Sequence, residues 1–531
     1  MPAFSITNYI EIYNQAAAIP PKLIAMSEME QLFYLALLQL YFKQKLCKAA
    51  KLCHHEEMTQ EQTVGQAEAE TLTAFRAKIY SSFADRADAS MDLLAALSSN
   101  EHARSPVELS LNGIFRRGHG SVYEAIRHSY GQSEKERETV LREQRAAIGS
   151  IIPLPSVRNH LLWVLDVTPC FRPDGETVSD RSQVYAGQGQ TIVGHHYSNV
   201  GIVPEHPHDS SWCLPVSIEY VPSDQNKELF GIAQVIDCLS DKTLPFHEQL
   251  CVLDVDRAYT SRGCLHVAWS QANLVILGRL RRNLVVYHSP QPDEKKKVGH
   301  PHWYGAPFRL NQPDSWSDPT ATVSFERTNA HGKLERIEVK AWSNMLLRGQ
   351  QKPEIRPFHQ YPFRLLQVVT YRSDGRLKYK HPLWLTVFGQ RQNEIALQAA
   401  VEDYFERANM EHFNRFTKQR LLFNHFQTSD TQREENWGHL VGLAYLQLYL
   451  AEPLCQTLPR PWEKHLAVFK KNDLPATPTM VQRDFGRIIR QIGTPAKPPK
   501  PRGNSPGRPK GSLKPPRPKQ PVIKKGKKRR K

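Results

Sequence analysis

The sequence predicts an α/β fold, and three observations carry that reading. Apolar residues recur at helical spacing up to about Arg145, short β-branched or alternating runs take over from Ile151, and helical stretches near 226–240 and 258–272 separate those runs. At 531 residues the chain exceeds what one hydrophobic core usually serves, so two or three domains with extensions are expected.

The elements follow in order. Residues 1–70 read as an N-terminal helical extension whose apolar stripe, Leu32 to Phe42, is too short to span a bilayer and is interrupted by Gln39. Residues 71–150 continue the helical pattern through Phe75, Ile79, Phe83, Leu93, Leu94 and Leu97, giving an α-helical N-terminal domain. Within it Arg116-Arg117-Gly118-His119-Gly120 reads as a turn, and Ser121 with Glu124 has the spacing of a capping box for the next helix. Arg116 and Arg117 beside a helix start suit a phosphate backbone, although such turns are common at solvated helix starts. Residues 151–288 carry strand-like runs at 161–168, 191–203, 212–220, 250–256, 274–280 and 284–288. Residues 289–381 read as a β-rich insertion, with runs at 321–327, 336–341 and 365–371. From 382 to 455 come an apolar strand, Leu383 to Phe388, a helix from about Asn393 to Phe423, and a nearly continuous apolar helix, Trp437 to Leu450, that reads as buried support. Residues 456–494 form a C-terminal region.

The formal net charge of +17 is not spread over the chain: residues 495–531 hold 15 Lys or Arg and no acid, leaving 17 − 15 = +2 for the rest. With ten prolines and almost nothing that builds a core, that tail is expected to be disordered and to attract nucleic-acid phosphates non-specifically. Gly507-Arg508-Pro509-Lys510 resembles the centre of an AT-hook, in which the Arg enters the A·T minor groove; Pro506 stands where that motif has another Arg, so the hook is weak. Eight scattered cysteines without Cys-x-x-Cys pairs, and an N-terminus lacking the order of a secretion signal, point to a reduced, cytoplasmic protein without a membrane partner. His54 and His55 beside Cys53, and His206 and His208 before Cys213, do not supply four zinc ligands at finger-like spacing.

Chemistry concentrates in one helix. At about 100° per residue, Tyr404, Arg407, Glu411 and Lys418 fall within an arc of roughly 60°, while Phe405, Phe413, Phe416 and Phe423 lie on another side. Taken alone, four polar residues are an ordinary solvated face. Far upstream, Asp166 and Asp256 each end an apolar strand, where an acid is placed to hold a ligand. Two such aspartates and Glu411 are the oxygen ligands that two magnesium ions prefer, and two metals suit phosphodiester cleavage.

Tyr404-x2-Arg407-x3-Glu411-x6-Lys418 resembles, in every fixed position, the Tyr-Arg-Glu-Lys signature of one large branch of DDE insertion-sequence transposases. Asp166 resembles the first catalytic Asp of that family, and Asp256-Arg-Ala-Tyr259 the second in its Asp-x-x-Tyr setting; Asp254, two residues away on the same strand face, is the alternative. The likeness covers roughly residues 72–455 and includes the basic strand end Arg279-Leu-Arg281-Arg282-Asn283, which either follows a DNA backbone or is a solvated strand end. It implies a ribonuclease H-like, retroviral-integrase core with a β-rich insertion before the catalytic-Glu helix. It further implies Asp166, Asp256 and Glu411 as catalytic ligands of two Mg²⁺, with Mn²⁺ able to substitute, and Tyr404, Arg407 and Lys418 as phosphate holders. The implied activity is DNA transposition, cleavage at transposon ends followed by strand transfer, by a synaptic homodimer on double-stranded DNA, nucleoid-associated when bound. Left open beside it are an inactive DNA-binding relative and a nuclease of the same fold without strand transfer.

Overall fold

The computed structural model describes residues 66–206, 210–290, 302–329, 332–349, 357–457, 476–501, 509, 511 and 516–524. The chain divides into two compact units, Met1–Ala67 and Glu68–Lys531. The first lies outside the described residues except for 66–67, and with it the Leu32–Phe42 stripe, Cys53, His54 and His55; His208 and Arg508 also lie outside them.

In the second unit ten strands form one mixed sheet. They are β1 (Leu161–Phe171), β2 (Ser182–Gly187), β3 (Gln190–Val203), β4 (Leu214–Val221), β5 (Cys251–Val255), β6 (Leu274–Arg279), β9 (Ala321–Thr328), β10 (Leu334–Met345), β11 (Phe363–Arg372) and β12 (Leu383–Phe388); β7 (Val285–Tyr287) and β8 (Pro307–Arg309) pair separately. The order is β2-β3-β1-β5-β6-β12-β11-β10-β9, with β4 also on β3. β1, β5 and β6 are parallel, and every other pairing is antiparallel. The run Leu161–Leu165 is buried throughout because β1 is central and covered on both faces, whereas β9, the last strand, alternates exposed and half-buried residues. The β-rich insertion is not a separate layer: β12 pairs with β6, and β11, β10 and β9 continue the same sheet outward.

Helices cover both faces. They are α1 (66–82), α2 (Ala87–Ser98), α3 (Gly120–His128), α4 (Glu134–Gly149), α5 (Lys227–Ser240), α6 (Arg262–Trp269), α7 (Leu397–Glu406), α8 (Ala408–Gln419), α9 (Thr431–Leu450), α10 (Glu452–Thr457) and α11 (Pro478–Ile492). The expected helices at 226–240 and 437–450 are α5 and α9, and α9 is buried along most of its length. Phe75, Ile79, Phe83, Leu93, Leu94 and Leu97 belong to one continuous core with the sheet. Arg76 of α1 donates to Gln447 of α9, and Ser98 of α2 donates to the Ala444 carbonyl.

Three local expectations need correction. The capping box stands at Ser133 and Glu136, opening α4; Ser121 lies inside the first turn of α3, whose N-cap is His119, so Glu124 pairs instead with His128 at 3.2 Å. The helix expected over 393–423 is two helices that meet at Arg407, where Met410 N–H takes the tighter bond to the Arg407 carbonyl; Asn393 and Phe423 lie in short 3₁₀ turns outside them. The tail is not wholly without structure: Ile523 forms a parallel bridge with Ser182, and Gln520 N–H donates to the Glu176 carbonyl at 2.7 Å.

Candidate functional site

Register builds the site from the strands, and Asp166 stands in the middle of β1, which runs on to Phe171, not at the end expected of it. Parallel pairing aligns Val164 of β1 with Asp254 of β5 and Val255 of β5 with Gly278 of β6, so continuing it brings Asp166, Asp256 and Arg279 into one row. Antiparallel pairing places Asn199 of β3 opposite Asp166, extending the row to a fourth strand. Residues in register point to the same face, and α8 covers that face: Asn414 Nδ2 donates to Asp166 Oδ2 at 3.0 Å, and Asn199 Nδ2 donates to Asn414 Oδ1 at 2.7 Å.

Burial drives the Asp166 carboxyl up to about 6; Arg407 and Lys418 oppose the rise, and Glu411 adds to it. Asp166 therefore feels three of the four residues of the helical arc. Arg407 donates to Glu411 Oε1 at 2.8 Å, one turn apart across the helix junction, and Glu411 is well exposed. Burial lowers the Lys418 ammonium, with Cys170 and Asp166 pulling it back up. Tyr404 is raised by burial and by Asp254, with Arg407 and Arg279 opposing. Below Tyr404, Asp403 Oδ2 meets His160 Nε2 at 2.7 Å; both groups are buried, and they tie α7 to the root of β1.

Asp254 and Asp256 differ sharply. Asp254 is fully buried and no side chain donates a hydrogen bond to it, so burial holds its carboxyl well above the usual range against the opposing Arg407 charge and Val255 N–H. Asp256 is exposed at the strand end and N-caps the 3₁₀ turn Arg257–Thr260. Arg281 and Arg282 are exposed in the turn after β6. Arg116 and Arg117 face inward: both guanidinium groups meet the buried Asp92, at 2.7 and 3.2 Å, and they also donate to the carbonyls of Ala496 and Lys497.

The sequence did not single out Asn199 or Asn414. Asn414 sits three residues after Glu411, at the margin of its arc, and that spacing was a usable signal; Asn199 had none without the strand register.

The donor set is chemically suited to a hard divalent cation: three carboxylates on two strands and a facing helix. Among the described residues no group of three or more His, Cys, Asp or Glu is placed to hold a metal, and Glu411 is engaged with Arg407. No described helix is long and apolar enough to cross a membrane. No curated protein matches this chain. Residues 78–346, which include Asp166, Asp256 and Arg279 but end before Glu411, match the DDE superfamily endonuclease family. That match spans just over half of the 531 residues, and the chain belongs to the DDE superfamily endonucleases.

Proposed function

We propose that the protein is a transposase of the Tyr-Arg-Glu-Lys branch, which cuts DNA at the ends of its element and joins the freed 3′-hydroxyls to target DNA. The observation that carries this reading is the row Asp166–Asp256–Arg279 with α8 across it, within which Asp166 is electrostatically coupled to Arg407, Glu411 and Lys418. Support comes also from the topology. The strands β4-β3-β1-β5-β6, three of them parallel with α5 and α6 as crossovers, have the order of a ribonuclease H-like core.

Asp166, Asp256 and Glu411 offer the carboxylate oxygens for two Mg²⁺. When bound, these ions supply an activated water or 3′-hydroxyl on one side of the phosphodiester and charge neutralisation on the other. The chain's own residues orient the substrate. Arg407 presents a planar fork and Lys418 a point charge to the phosphate, with Tyr404 and Arg279 beside them. Asn414, held by Asn199, fixes the rotamer of Asp166. Arg407 serves two partners in turn: without substrate it holds Glu411, and a phosphate that takes the fork frees the Glu411 carboxylate.

The test incubates purified protein with Mg²⁺ and labelled end DNA, comparing wild type with Glu411→Gln. Cleavage should fall by more than the ~10–100-fold typical of losing an outer-shell partner. Equal cutting by both proteins removes Glu411 from the site. Joined products carrying the labelled 3′ end separate a transposase from a nuclease of the same fold. A synaptic homodimer is part of this reading, because two ends must be joined together.

A further inference from the structure

The proline-rich segment of the tail lies against the stretch from Glu176 to Ser182, the first residue of β2, and we propose that this seat is a dock that fixes where the tail's last cations meet DNA. The inference rests on the DNA-cutting reading above. β2 is an edge strand of the sheet, and the tail reaches it at its first residue, Ser182. The tail supplies partners. Gln520 N–H donates to the Glu176 carbonyl and Ile523 N–H to the Arg181 carbonyl, both at 2.7 Å, and Ile523 bridges Ser182 in parallel. Pro521, between the two donors, has no N–H to leave unpaired. Side chains complete the seat. Arg181, only 4% exposed, donates to the Gln520 carbonyl at 3.2 Å and is itself held by the carbonyls of Arg172 and Val178, while Lys519 pairs with Glu176 at 2.5 Å. A buried arginine aimed at a tail carbonyl is a built feature of the body, not an accident of a flexible polycation.

The dock has a direction. β2 runs antiparallel to β3, and β3 antiparallel to β1, so a segment parallel to β2 runs in the sense of β1, the direction that leads from Asp166 to Phe171. Ser182 is level with Gly194 and Phe171, five residues beyond Asp166. That is about 17 Å along the strand, and three strand spacings set Ile523 about 14 Å to the side, or about 22 Å in all. Lys524, exposed, opens a run in which seven of the last eight residues are Lys or Arg. Duplex DNA carries one charge per ~1.7 Å, so roughly a dozen phosphate charges lie within that distance of a bond held at the acids. A tail tethered only at the buried Ala496 would instead place Lys524 anywhere within an r.m.s. span of about 30 Å. Docking replaces that search with a fixed approach and raises the effective concentration of the cations at one flank of the cut.

The test keeps every charge. Gln520→Pro with Ile523→Pro removes both N–H donors and should weaken binding of labelled duplex roughly threefold to tenfold, lowering the salt slope toward that of a chain ending at Ile523. Amide exchange at Ile523 reads the dock directly and should be slowed in the wild type. A double variant that binds like wild type at every salt concentration, or an Ile523 amide that exchanges as in a free peptide, overturns the dock. A wild type that binds no DNA at all brings down the DNA-cutting reading and this inference with it, an outcome distinct from the other two.

Discussion

Asp166 meets two opposed demands. In the proposed role of cation ligand it must be ionised, yet burial within β1 raises its carboxyl to about 6. A folded value above the ~3.9 of an unfolded Asp means that the folded state binds the proton more tightly. The associated stability is present below pH ~4 and is lost as pH rises to 6, so at pH 7 the ionised group opposes folding. Asp166→Asn should therefore stabilise the metal-free protein at pH 7 by on the order of 2 kcal/mol, discounted from the full shift because the side chain is only part-buried, and by nearly nothing at pH 4. Urea unfolding at the two pH values measures this, and a less stable variant at pH 7 would mean that Arg407 and Lys418 outweigh burial. Much of this scale was legible in the chain. Spacing set Glu411 and Lys418 on α8 with Arg407 at its start, because a helix converts sequence separation directly into angle, whereas Tyr404 stands on α7, across a break that spacing does not show. Arg116 and Arg117 were not legible: a pair of arginines beside a turn reads the same whether they face solvent or a buried acid, and only the fold shows Asp92 beneath them.

At the level of elements, the strands that carry the acids were readable as apolar runs, but their adjacency was not. Nothing in residues 161–168 or 250–256 says that register continues Asp166 alongside Asp256, or that Asn199 sits across from it; strand pairing is settled by long-range contacts and turns. β2 was missed for a related reason. It is short, and its hairpin turn, with Gln188 at φ 49° and Gly189 at φ 79°, takes its register from β3. The β1–β3 pairing that sets the level of this hairpin depends on Gly194, where a methyl group would stand 2.3 Å from the Cys170 carbonyl oxygen. Gly194→Ala must spread the two strands, and a loss of about 2–3 kcal/mol is expected. The same variant should increase exchange at the Ile523 amide, since Ser182 pairs directly with Gly194; unchanged stability would mean that the backbones separate there at no cost.

For the whole molecule, the helices over 66–149 and the sheet share one core, and pH acts on that shared packing. His439 of α9 stacks near Tyr130, its ring centroid 5.2 Å away, and burial, then Arg137 and Arg145, hold it down to about 3. A histidine depressed on folding contributes stability that is complete above its unfolded value of ~6.5 and is lost as pH falls toward 3. Relative to wild type, His439→Gln should gain up to about 2 kcal/mol between pH 7 and pH 5, read from paired denaturation curves; a constant difference would mean that folding leaves the His439 imidazole unshifted. The α/β class and the order of elements were visible from periodicity, whereas the continuity of the sheet through the insertion was not, because β12 is read as one apolar run among several until it pairs with β6. The contact between Asp166 and Asn414 closes a loop of 248 residues. At synthesis rates of about 5–20 residues per second, the first acid waits roughly 10–50 s on the ribosome before the helix that completes its surroundings exists. A chain that stops soon after Arg279 holds β1, β5 and β6 but lacks α8, so under the proposed function it carries the two aspartates without Glu411.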